Sequence, residues 1–226
     1  TVSNAIRLNS GTQFLNAGNF TLNSTAGITD TSAGATEKFD NAGVFTLNSG
    51  GNTPISNLAF NNTTSTLNIL SGNLQLNGGG TFSGLITQPG AAVNLNGGSY
   101  LISSGSSFVT NNSLNLSAGQ TTNIEGALTL NNLTLSGGTL NVDTLGLGTD
   151  LTINTALNWT GTATINGGGT GATSGLVNLG TVTQSGTGQT FTMNNLAVNN
   201  QGSWVVDATV SNAIRLNSGT QFLNAG

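Results

Sequence analysis

Residues 16–24 read NAGNFTLNS, and residues 41–49, 25 positions later, read NAGVFTLNS. Within this stretch Phe20-Thr21-Leu22 alternates apolar and polar side chains, the period of a strand with one buried face. The chain enters the strand from Asn-Ala-Gly and leaves it through Leu-Asn-Ser, and Asn and Gly are residues that tolerate the positive φ of a tight corner. A strand of about three to five residues, bounded by corners and echoed one short period later, is one side of a coil in a β-solenoid.

The same unit recurs outward in both directions. Apolar-polar-apolar triplets stand at Ile6-Arg7-Leu8, Phe45-Thr46-Leu47, Leu67-Asn68-Ile69, Leu74-Gln75-Leu76, Val93-Asn94-Leu95 and Leu114-Asn115-Leu116. They continue at Leu128, Leu133, Leu140, Leu151, Leu157, Phe191 and Trp204. The exits repeat as well: LNSG at Leu8 and Leu47, LNAG at Leu15, LNGG at Leu76 and Leu95, LSAG at Leu116, LSGG at Leu135 and INGG at Ile165. Gly or Asn interrupts nearly every window of ten, and good helix formers are scarce, so helix is expected to be negligible. The expected fold is all-β, a parallel β-solenoid of roughly nine coils at about 23 residues each.

A longer period overlies the short one. TVSNAIRLNSGTQFLNAG occupies residues 1–18 and recurs without a substitution at residues 209–226. The chain therefore divides into one complete unit, residues 1–208, and the start of the next, residues 209–226. The expectation is that the second copy continues the same solenoid, with uncapped ends, and occupies the same structural positions as the first. At the spacing of paired strands that places it about 43 Å further along the axis. Units joined covalently in tandem are favoured over a polymer of separate subunits that exchange the overlap.

Composition fits stacking. Of 226 residues three are Lys or Arg, seven are Asp or Glu, and none is His or Cys, whereas Gly and Asn number 34 each. Identical outward side chains on successive coils lie about 4.8 Å apart, so a file of like charges costs about 1 kcal/mol per neighbouring pair in water and several times that near a protein surface. Asn, Ser and Thr instead hydrogen-bond to their counterparts above and below. With Arg7 and Lys38 against seven acids, the unit carries nothing to attract nucleic acid or an anionic membrane. No apolar run is long enough for a transmembrane helix, no signal peptide is visible, and no disulfide framework exists.

Candidate chemistry is sparse. Asp30, Glu37 and Asp40 beside Lys38 cluster in GITDTSAGATEKFDNAG; as a functional site they suggest a calcium or carbohydrate contact, and as plain structure a solvated excursion from the coil, the preferred reading. GLGTD at residues 146–150 has the look of a β-roll calcium repeat but occurs once, and its ligands come from successive turns. GGGTGATSG at Gly167 lacks the helix that a phosphate loop needs. Sequons at Asn19, Asn23, Asn61, Asn62, Asn111, Asn132 and Asn158 follow from composition. Thr181, Thr183, Thr190 and Thr192 would serve an ice-binding face if stacked in register, but they read as scattered. Tyr100 is the one tyrosine, and both tryptophans fit inward positions, which leaves little to grip a ligand. Accordingly, no catalytic, cofactor-binding or metal-ligating residue is nominated, and no cofactor is expected.

The run of LNxG corners, with NAGxFTLN and LTLSGGTLNV, resembles the low-charge β-helical repeat regions of large bacterial surface proteins, the filamentous-haemagglutinin-like adhesins and autotransporter passengers. That resemblance implies a right-handed parallel β-helix, export to the cell surface, and structural or adhesive work. The leading expectation is a structural repeat of an extracellular filament, sheath or stalk, partnered by copies of itself, with lateral association into fibres open. The alternatives are an adhesin rod that binds glycans or neighbouring surfaces and, more remotely, a polysaccharide-acting β-helix enzyme or an ice-binding solenoid.

Overall fold

A computed structural model describes residues 6–32, 37–89, 91–110, 113–143, 146, 148, 150–168, 175–207 and 214–226. Among them there is no helix, and the strands pair in parallel, coil upon coil. Each of the fourteen apolar-polar-apolar triplets lies in a strand. The physical reason is the one visible in the sequence: alternate side chains fill a shared interior, and Leu, Ile, Phe and Val line it from Leu8 to Val198.

The coil has three faces. Face I is a ten-stranded sheet that runs from Gln13–Asn16 to Arg215–Asn217. Face II begins at Asn19–Leu22 and ends at Gln221–Asn224, and face III begins at Ile6–Leu8 and ends at Ser203–Val206. The chain visits them in the order III, I, II and then repeats.

Two expectations need correction. First, the strands are not all three to five residues long. Val44–Ser56, Thr66–Leu76, Leu128–Leu135 and Asp150–Trp159 run 13, 11, 8 and 10 residues and continue through the corner between faces II and III, with the pairing interrupted at the corner and resumed on the next face. As a result, faces II and III together form one sixteen-stranded sheet. The corners stack as well as the strands do: the Ser71 hydroxyl donates to Asn48 Oδ1 at 2.9 Å, and Asn73 Nδ2 donates to Asn52 Oδ1 at 3.0 Å. The extra residues are absorbed as a register shift between Leu47 and Asn52.

Second, the two copies of the repeated segment do not occupy equivalent faces. Ile6–Leu8 lies on face III and pairs with Ile28–Asp30, whereas Arg215–Asn217, the second copy of Arg7–Asn9, lies on face I and pairs with Phe191–Asn194. Gln13–Asn16 lies on face I, and its copy Gln221–Asn224 lies on face II. Ten rungs on face I span nine coils, and the step from Ile6–Leu8 to face I adds one face more. One unit therefore winds nine and one-third coils rather than nine, an advance of about 45 Å.

Inside, two kinds of column hold the coils in register. Phe14, Phe39 and Phe60 stack on face I at ring distances of 4.7 and 5.4 Å, and Phe20 and Phe45 on face II meet Phe39 edge-on. Beside them runs a file of amides: Asn16 Nδ2 donates to Asn41 Oδ1, and Asn41 Nδ2 to Asn62 Oδ1, both at 2.7 Å. The corner that follows is Asn-Ala-Gly, and its glycine is required by contact. A Cβ on Gly43 would sit 2.1 Å from the Gly18 carbonyl oxygen of the coil below.

Tyr100 faces inward, 1% exposed, and its hydroxyl donates to the Leu76 carbonyl at 2.7 Å. Burial pushes its pKa from 10.0 up to about 12, against a smaller opposing effect of the Gly79 backbone. The folded state thus holds the phenol proton more tightly than the unfolded chain does. Stability from this group is fully present below pH 10 and is lost as pH rises toward 12, a loss of about 2–3 kcal/mol. Because Tyr100 is the single tyrosine, an absorbance titration reads it directly. Half-ionisation near pH 10 in the folded protein would contradict the buried placement.

Candidate functional site

The densest chemistry lies where faces III and I meet, near the start of the described chain. Ile28–Asp30 has the inward-outward-inward pattern of its neighbours, so Asp30 points into the coil rather than out of it and is 3% exposed. The backbone N–H of Ser32 donates to Asp30 Oδ1 at 2.7 Å, and the Ser32 hydroxyl lies 2.6 Å from the same oxygen. That hydroxyl also lies 2.7 Å from Glu37 Oε1, which in turn accepts from the backbone N–H of Gly11 at 2.6 Å. Glu37 is 2% exposed. Both carboxyls are therefore buried, each with one oxygen held by hydrogen bonds, which overturns the solvated placement expected for Asp30 and Glu37 from their charge.

The geometry is uneven. One hydroxyl carries one proton, so Ser32 donates to one of the two carboxyls. Asp30 Oδ2 is buried with no hydrogen-bond partner. Asp30 and Ser32 open onto a hollow of about 350 Å³ walled by Asn57, Leu58, Ala59, Asn77 and Gly78. Two carboxyls and a hydroxyl are oxygen donors of the kind a hard cation takes, but they fall short of the six or more ligands of calcium. Among the described residues no group of three or more His, Cys, Asp or Glu comes together.

Asp40, the third member of the sequence cluster, points the other way. It pairs with Lys38 at 3.1 Å and accepts from Asn61 Nδ2 at 2.7 Å. Of the glycine-aspartate stretch, Gly146, Gly148 and Asp150 are described, and the remainder lies outside the described residues. Gly148 N–H donates at 2.7 Å to Asp143 Oδ2. Asp143 is fully buried at φ 54°, a residue that the sequence did not single out and that its place after Val142 in the corner could have signalled. Residues 169–174 of the glycine-rich stretch at Gly167 also lie outside the description. The threonines singled out in the sequence do not share one face: Thr192 joins a file of other threonines. Thr121, Thr139, Thr164 and Thr192 stand in register along face I, whereas Thr181 and Thr183 lie on face III. Beside that file runs an outward amide ladder, Asn123, Asn141, Asn166, Asn194 and Asn217, linked at 2.7–3.1 Å. Trp159 is buried as expected, and Trp204, on the last coil, is partly buried.

Fold and site together define a three-faced parallel β-solenoid whose surface is built from amide and hydroxyl files and whose densest polar feature is one enclosed acid pair. No family model, curated protein or solved structure matches the chain.

Proposed function

We propose that the chain is the structural repeat of an extracellular or cell-surface filament, sheath or stalk, in which copies of the 208-residue unit follow one another in a single long solenoid. The observation that carries this reading is the unsubstituted recurrence of residues 1–18 at residues 209–226 in a fold whose coils gain hydrogen bonds by adding another coil. The surface supports it. Uncharged ladders stack indefinitely without repulsion, and such a rod gains length and stiffness from repetition alone.

Two measurements on the native material test the proposal. Electron micrographs should show unbranched rods with an axial rise of about 45 Å per unit, the length of nine and one-third coils. Mass under fully denaturing conditions should be many times the 22.5 kDa of this chain. Compact particles of a single 22.5 kDa species, with no rods, would overturn the reading.

A further inference from the structure

We infer that successive units in the array are joined with a rotation of one face, so that each unit presents its surface one-third of the coil's circumference away from the unit before it. This rests on the tandem reading above and adds to it the geometry of the joint.

The first observation is that the two copies share a conformation while they differ in face. Ser10 and Gly11 turn at φ 53° and 76°, and Ser218 and Gly219 at 42° and 77°. In both copies the threonine two residues after that serine, Thr12 or Thr220, donates its hydroxyl to the carbonyl three residues back, Asn9 or Asn217. The local sequence dictates the same turn twice, and the coil count decides which face it falls on.

The second observation is that the rotated placement continues columns that the unit itself begins. On face II, Asn178 Nδ2 donates to Asn200 Oδ1, and Asn200 Nδ2 to Asn224 Oδ1, both at 2.6 Å. Asn224 is the second copy of Asn16, which starts the buried file through Asn41 and Asn62. With the rotation, the file that ends one unit and the file that starts the next become one unbroken amide column across the joint. Asn217, the second copy of Asn9, extends the outward ladder on face I in the same way, donating to Asn194 Oδ1 at 3.1 Å. The aromatic core follows suit. Trp204 meets Phe222 edge-on at 4.8 Å and 72°, as Phe20 meets Phe14 at 5.3 Å and 71°. Phe222 is the copy of Phe14, and the next unit's Phe20 would follow on the face of Trp204. Without the rotation, Asn16 of the next unit would fall instead on face I above Asn195, in a column whose preceding members, Val142 and Gly167, carry no side-chain amide to continue a file.

The consequence is a rod with no unique side. Each acid hollow and each threonine file recurs at one-third steps, and three units, about 135 Å, return to the starting face. Lateral partners, including neighbouring rods, would meet the same surface on all three faces.

The chain has no cysteine, so engineered disulfides read the joint directly, in a chain that carries two tandem units. Leu223 is outward and 61% exposed, and it pairs with Asn199 on face II. Asn199→Cys with Leu223→Cys should form an intramolecular disulfide on mild oxidation, because paired parallel strands are separated by about 4.8 Å, within disulfide reach. The unrotated joint would place Leu223 on face I beside Asn194 instead, so Asn194→Cys with Leu223→Cys should stay reduced. A disulfide in the second pair, or free thiols in both pairs in a folded chain, overturns the rotation. Denatured mass of the native material tests the tandem array separately, so either idea can fail while the other stands.

Discussion

Replacing Asn41 by Asp is expected to destabilise the solenoid by about 4 kcal/mol at neutral pH, the cost of a buried charge that has lost its compensating partner. Asn41 is 1% exposed and works in both directions: it accepts from Asn16 and donates to Asn62 Oδ1 at 2.7 Å and to the Thr66 carbonyl at 3.1 Å. An aspartate keeps the accepting half and reverses the donating half, so an ionised oxygen would face two oxygens in a site closed to water. The sign with pH follows. The folded state favours the protonated acid, which raises its pKa above that of the unfolded chain, so folded molecules bind more protons and stability recovers as pH falls through the raised value. Denaturant midpoints at pH 7 and pH 4 should show the variant gaining on its parent at the lower pH. The same substitution at Asn48, which is exposed, should cost under about 1 kcal/mol. Equal costs at the two positions would mean that the buried file contributes nothing beyond polarity.

The second large effect is expected from Phe39→Ala, at about 3–5 kcal/mol. The ring is fully buried between Phe14 and Phe60 and is edge-on to Phe20 and Phe45 at 5.6 and 5.5 Å. Removing it empties a space that neighbours on three coils cannot collapse to fill, because the hydrogen-bonded ladders set the coil spacing. In a solenoid each coil is held mainly by the coils next to it, so the loss should be local. Hydrogen exchange should quicken in residues 6–62 and change little beyond Leu140. Phe39→Leu, which keeps most of the volume, should cost under about 1.5 kcal/mol. Uniform loss of protection along the whole chain would show that the solenoid unfolds as one unit instead.

These two side chains also show how legible the fold was. Phe39 is easily read, since an apolar residue in a short alternating run has one way to face and the interior is the one place to put it. Asn41 is different. LNSG at Leu8 and LNAG at Leu15 look like variants of one exit, yet Asn9 is exposed at a positive-φ corner and Asn16 is buried in the amide file. Nothing local separates them: what buries Asn16 is that Asn41 and Asn62 arrive above it 25 and then 21 residues later. The acid cluster fails for the same reason. Charge argued for solvent at Asp30 and Glu37, and Ser32 with the Gly11 backbone, brought in from another coil, supplies the hydrogen bonds that allow burial.

By itself, then, the sequence determined the class of fold and its interior, because period-two runs closed by Asn and Gly leave a short chain segment no other way to bury its apolar side. It also determined the absence of charge files, since like neighbours at strand spacing repel wherever they stand. Tertiary structure alone decided which amides face inward, where the two acids are enclosed, and that residues 209–226 fall one face away from residues 1–18. Those outcomes depend on the sum of coil lengths that vary from 18 to 28 residues between rungs. A repeat written in residues need not close a whole number of turns, and that sum exists once every coil has been stacked.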